Sequence, residues 1–157
     1  MSEPLDTQQV EVLGRNLLVT ALVSSGLEVA RPERDRGVDL IAYLDLEGEA
    51  FSALPLQMKA ASGRVVSVDE KYRRLPWLHI VYAWHVREPA EARFFCLSPS
   101  EALDLAAQLG WMKTKAWSQG GRYAANNPSA RVQEALAPYE MRTPEDWVRK
   151  VRGARAR

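Results

Sequence analysis

Residues 36–61, RGVDLIAYLDLEGEAFSALPLQMKAA, decide how this chain is read. VDLIAYL and FSALPLQMKA have the apolar density of strands, and DLEGE between them makes an acidic turn around Gly48. A hairpin centred on Gly48 sets Asp39 directly opposite Gln57. Side chains alternate across a strand, so Gln57 and Lys59 share a face, and across the hairpin that face carries Asp39, Ile41 and Tyr43. Pro55 has no N–H to give the ladder and predicts a bulge or a missing bond at that point.

Upstream, Asp6 or Thr7 caps a predicted helix whose apolar positions Val10, Leu13, Leu17, Ala21 and Leu22 recur at helical spacing and stop at Gly26. LEVARP reads as a short strand closed by Pro32, followed by the charged turn ERDRG. Downstream, RVVSV reads as a short strand and DEKYRRL as a short helix ended by Pro76. LHIVYAWHV and ARFFCLS are two further strands, and Ser98 or Ser100 caps the helix SEALDLAAQLGW. KTKAWSQGGRYAANNPS reads as loop. Ser129 opens a helix to about Leu136, and Thr143-Pro144-Glu145-Asp146 opens another.

This interleaving predicts an α/β (α+β) fold, a mixed central sheet flanked by helices. Residues 1–110 form its core, and 111–157 form a C-terminal helical and loop extension packed on that core and ending in a basic tail.

The chain has 157 residues, 46% apolar and 26% charged, which suits one globular domain and excludes a fibrous repeat. A net charge of +1 provides no global field for nucleic acid, so such a role has to rest on local patches. The tail RKVRGARAR is one such patch, read either as a solvated end or as a phosphate grip. The single cysteine, Cys96, excludes an intrachain disulfide and a cysteine-cluster metal site. No leader and no membrane-length apolar stretch is recognised, so the expected location is the cytoplasm.

The chemistry implied by the hairpin is metal-assisted. An Asp carboxylate and a Gln side-chain carbonyl both ligate hard divalent cations through oxygen, and a neighbouring lysine orients a water or offsets charge on a phosphate. The order of elements, with Gly-Val-Asp on one strand and Gln-Met-Lys ending the next, resembles the PD-(D/E)XK nuclease superfamily over residues 7–86. Members with Gln-X-Lys, Mrr-like and Holliday-junction-resolvase-like, resemble it more closely.

The resemblance implies a restriction-endonuclease-like fold and Mg²⁺- or Mn²⁺-dependent hydrolysis of DNA. Asp39 and Gln57 would ligate the metal, and Lys59 would support the water and the phosphate. Glu11 on the first helix would add the second acid, with Glu70 and then Asp35 as substitutes. Lys71, Arg73 and Arg74 are candidate contacts to the DNA backbone, or a solvated helix face with Asp69 paired to Arg73.

Gln57 stands where the family has a carboxylate, which leaves a second reading open. In it, a catalytically inactive module of the same fold binds nucleic acid or a protein partner, for example of the immunity or antitoxin type. A homodimer fits a duplex-cutting nuclease by analogy alone. Trp111, Trp117, Tyr123 and Trp147, interleaved with Lys113, Lys115 and Arg122, are read as a satellite core in preference to a base-stacking surface. His79 and His85, on the LHIVYAWHV strand, are read as structural.

Overall fold

The structure, a computed structural model, describes residues 3–44 and 51–154. The acidic turn around Gly48 and Arg155 and Arg157 of the basic tail lie outside the described residues. Helix α1 (Thr7–Ser24) is followed by strands β1 (Glu28–Ala30), β2 (Leu40–Leu44), β3 (Ser52–Ala60) and β4 (Val65–Asp69) and a 3-10 turn (Glu70–Arg74). Strands β5 (His79–Trp84) and β6 (Arg93–Leu97) then lead to α2 (Pro99–Gln108), α3 (Lys115–Gly120), β7 (Arg122–Asn126), α4 (Ala130–Leu136) and α5 (Pro144–Ala154). Five strands form a mixed sheet in the order β1-β2-β3-β5-β6, and β4 and β7 form a separate two-stranded ribbon. The fold is therefore the expected mixed sheet flanked by helices.

β1–β2, β2–β3 and β5–β6 pair antiparallel, and β3 and β5 pair parallel. The β2–β3 ladder runs unbroken from Leu40 opposite Leu56 to Leu44 opposite Ser52, with Pro55 opposite Ile41. The bulge expected at Pro55 is absent. β5 joins the other edge of β3 only from Leu56 onward, so the missing proline donor falls where no neighbouring strand calls for it.

One face of the sheet presents Leu40, Ala42, Leu54, Leu56, Met58, Val81 and Ala83 to α1 and α5, which bury Leu18, Leu22, Trp147 and Val151 against them. The buried stripe of α1 is Gly14, Leu18 and Leu22, one residue round from the expected one, and Leu13 is left exposed. Gly14 sets this rotation. A Cβ there would lie 2.6 Å from the Ala60 Cβ, so only glycine lets the helix approach β3 this closely. Asp6, not Thr7, caps the helix, exchanging hydrogen bonds with Gln9 in a capping box.

The other face carries Ile80, Tyr82, Trp84, Phe95 and Leu97, covered by α2 and by the ribbon residues Val66 and Val68. Trp84 packs on Phe95 with ring centroids 4.5 Å apart and donates its indole N–H to the Val65 carbonyl at 2.8 Å. Tyr82 donates its hydroxyl to the Ser67 carbonyl. The second ribbon strand, β7, corrects the loop expected over residues 113–129, which also contains α3. Arg122, Ala124 and Asn126 alternate with half-buried Tyr123 and Ala125, and what makes the segment a strand is pairing with β4, since alanine and asparagine are weak strand formers.

The segment after residue 110 is woven into both faces. Trp111 and Trp117 are buried on the ribbon side and Trp147 against α1, while Glu140 bridges Phe95. These tryptophans are core residues, as their sequence context suggested. Cys96 is fully buried, and burial pushes its thiol up to about 12. Among the described residues no helix is long and apolar enough to cross a membrane.

Candidate active site

Asp39 lies immediately before β2, and the register continued by one residue places it across from Gln57. Its N–H donates to the Leu56 carbonyl at 2.8 Å, and its Oδ2 accepts the Met58 N–H at 2.7 Å. β2 begins only at Leu40, so the carboxylate takes up a β3 donor just outside the β2–β3 ladder. This pins the side chain against the sheet and leaves the second oxygen without a protein donor among the described residues.

Burial is the largest influence on the Asp39 carboxyl and raises its pKa. The Met58 N–H works against it, Asp35 and Glu11 raise the value further by repulsion, and Lys59 lowers it. Glu11, Asp35 and Asp39 line one cleft of about 250 Å³ with Arg15, Arg31 and Glu33. The α1 acid therefore does reach the Asp39 cleft. There it is more than half exposed, with Oε1 at 3.9 Å from Arg15 Nη1. Asp35 accepts the Gly37 N–H at 3.1 Å, which shapes the turn leading into Asp39.

Gly37 has φ +92, a conformation that glycine adopts without strain, and a Cβ there would lie 3.7 Å from Gln57 Nε2. The Gln57 amide thus sits beneath the turn that delivers Asp39. Its Oε1 is buried and has no hydrogen-bond partner, an arrangement that costs on the order of 1–3 kcal/mol unless something accepts the lone pairs.

Lys59 is half-buried two residues further along β3, opposite Tyr82 of β5. Desolvation is the main cause of its lowered pKa. Lys71 and Arg122 add to the depression, while Asp39 and Asp69 oppose it.

The remaining sequence candidates do not all converge. Glu70 faces Gly121 and pairs with Arg73 at 3.5 Å, so it is committed to the ribbon side and not to Asp39. Arg73 is therefore paired with Glu70 and not with Asp69, whose Oδ1 caps the 3-10 turn at the Lys71 N–H. Arg74 is exposed. His79 is buried at the start of β5, and His85 Nε2 accepts a hydrogen bond from Arg64 beyond its end.

Sequence reasoning did not single out Arg15 or Arg31, which line the acidic cleft, or place Arg122 beside Lys59. Arg15 stands four residues from Glu11, a helical pairing distance visible in the sequence. Arg122 had no such signal, because the pairing of β4 with β7 brings it there. No family model matches the chain, and no curated protein or solved structure matches it.

Proposed function

We propose that this protein is a divalent-metal-dependent nuclease of the PD-(D/E)XK type that hydrolyses phosphodiester bonds in DNA. The observation that carries the reading is the buried, unpartnered Gln57 Oε1 opposite the Asp39 carboxylate, with Lys59 next on the same face. Two oxygen donors, one of them orphaned and the other a carboxylate whose pKa is raised by burial and by neighbouring acids, suit a hard cation. Asp39 and Gln57 would hold Mg²⁺ or Mn²⁺, and Glu11 would add negative charge at the cleft mouth.

The ion's contribution is a water of lowered pKa and neutralisation of charge on the phosphate. Asp39, fixed by the Met58 N–H, would offer its other oxygen to the ion with little rearrangement. Lys59 places an ammonium that is partly stripped of water, and so electrostatically stronger than a solvated one, where negative charge develops on the phosphate. The expected result is that Asp39→Ala and Lys59→Ala each abolish Mg²⁺-dependent DNA cleavage by the purified protein. Cleavage that persists in both variants would sink the assignment.

One observation favours a second reading, a nuclease-fold module that binds nucleic acid or a protein partner without cutting. Among the described residues no three His, Cys, Asp or Glu side chains gather closely enough to hold an ion, and Glu11 keeps to Arg15. Calorimetric titration with Mg²⁺ and Mn²⁺ separates the two. Heat that is lost in Asp39→Asn supports the enzyme, and no heat at millimolar metal supports the module.

A further inference from the structure

A second cleft, of about 90 Å³, opens where β3 meets the β4–β7 ribbon, lined by Lys59, Ser67, Asp69, Tyr72, Arg122 and Tyr123 among others. Its construction is specific. The ribbon is held on the sheet by the Tyr82 hydroxyl and the Trp84 indole, which donate to the Ser67 and Val65 carbonyls. The Glu70 N–H donates to the Gly121 carbonyl at 2.7 Å, tying the 3-10 turn to the start of β7. Gly121, at φ +65, turns the chain from α3 into β7, so Arg122 emerges opposite Asp69 in the ribbon register.

Three cations from segments distant in sequence are thereby brought together: Lys59 and Arg122 in the cleft walls, and Lys71 close enough to repel Lys59. Among the described residues none of the three forms an ion pair. Asp69 is the one carboxylate lining the cleft, and its Oδ1 already accepts the Lys71 N–H at 2.9 Å. The single negative charge of Asp69 offsets only part of this cluster, and an external anion offsets more of it.

Lys59 stands two residues beyond Gln57 on β3, across the ladder from Asp39, so an anion held in this cleft would lie next to a phosphate presented at Asp39. We propose that the cleft seats a second backbone phosphate of the same polynucleotide, with Lys59 and Arg122 as its cationic walls, Lys71 near its mouth and the β4–β7 ribbon as a guide for the strand. This rests on the nuclease reading for the position of the first phosphate. The substrate class it implies is a polynucleotide that runs past the cut site, not a mononucleotide or a single phosphodiester.

The test is fluorescence anisotropy of a labelled oligonucleotide in the absence of metal, across a salt series, with inorganic phosphate as competitor. The double variant Arg122→Gln with Lys71→Gln should bind about 10-fold or more weakly at low salt. Its slope of log affinity against log salt should be shallower by about 1–2. Arg122→Lys should recover most of the binding, and Lys113→Gln, an exposed cation outside the cleft, should change nothing.

Unchanged affinity and slope in the double variant, with its thermal midpoint preserved, would overturn the proposal while leaving the nuclease reading intact. Inorganic phosphate binding alone, with no oligonucleotide binding, would also overturn it. A wild-type protein that binds through Arg122 but never cuts with Mg²⁺ would instead remove the nuclease reading and leave the cleft standing.

Discussion

The two faces of the central sheet are covered by different means. On one, α1 and α5 lay apolar stripes on Leu56, Met58 and Val81, the packing of a helix layer on a sheet. On the other, a two-stranded ribbon and α2 cover Tyr82, Trp84 and Phe95, with side-chain donors from the sheet anchoring the ribbon's carbonyls. Asp39 and Glu11 meet at a cleft beside the helix layer, and Lys71 and Arg122 come from the ribbon layer. Lys59 senses both groups. The proposed site thus draws on two layers, and each layer can be perturbed by itself.

The largest expected effect is on the ribbon side. Trp84→Ala removes a fully buried indole, its contact with Phe95 and its hydrogen bond to Val65, and should cost about 3–5 kcal/mol in denaturant unfolding. If the ribbon is an independent layer, proteolysis should then open β4–β7 before α1. A smaller effect is expected from Gly14→Ala on the helix side. Helix propensity would gain up to about 1 kcal/mol, but the new Cβ would sit 2.6 Å from a strand Cβ that has no rotamer to escape into. The net should be a loss of about 1–2 kcal/mol, and an increase in stability would show that α1 is not in close contact with β3.

The smallest effect distinguishes the site from its scaffold. The Asp39 pKa is raised in the folded chain, so the fold disfavours the ionised form, and wild-type stability falls as pH rises through that value. Asp39→Asn should therefore raise the thermal midpoint slightly at neutral pH. The gain should vanish in acid below the ordinary carboxylate range, where the wild type is protonated in both states. Millimolar Mg²⁺ should reverse the order by stabilising the wild type alone. A variant less stable than wild type at neutral pH without metal would contradict the buried-carboxylate description.

The helix layer and the hairpin were legible because their signals are local. Centring the hairpin on Gly48 in the sequence predicts Asp39 opposite Gln57, and the β2–β3 register agrees. The spacing of Val10, Leu13, Leu17 and Ala21 marks α1 well enough, though not its rotation, since the importance of Gly14 depends on Ala60 some forty-five residues away. The ribbon was legible only by half. Val65–Asp69 has strand composition, whereas RYAAN has only Tyr123 in its favour and becomes a strand because β4 offers an edge. What was missed at the site follows from this, since Arg122 reaches Lys59 through that pairing. The orphaned oxygen of Gln57 is likewise invisible in sequence, because its burial depends on the packing around the folded hairpin.

The long separation between β4 and β7 also bears on biosynthesis. Roughly fifty residues lie between them, so at translation rates of about 5–20 residues per second β7 emerges on the order of 3–10 s after its partner. Through that interval the nascent β4 has no ribbon partner, and Tyr82 and Trp84 lack their final cover. The helix layer waits longer, because α5 is the last described element and supplies Trp147 and Val151 to the α1 side. The hairpin that carries Asp39 and Lys59 can pair early, with the residues lining the acidic cleft already made, whereas Arg122 of the second cleft arrives only with β7. A ribosome pausing within that window would present an open sheet face to chaperones.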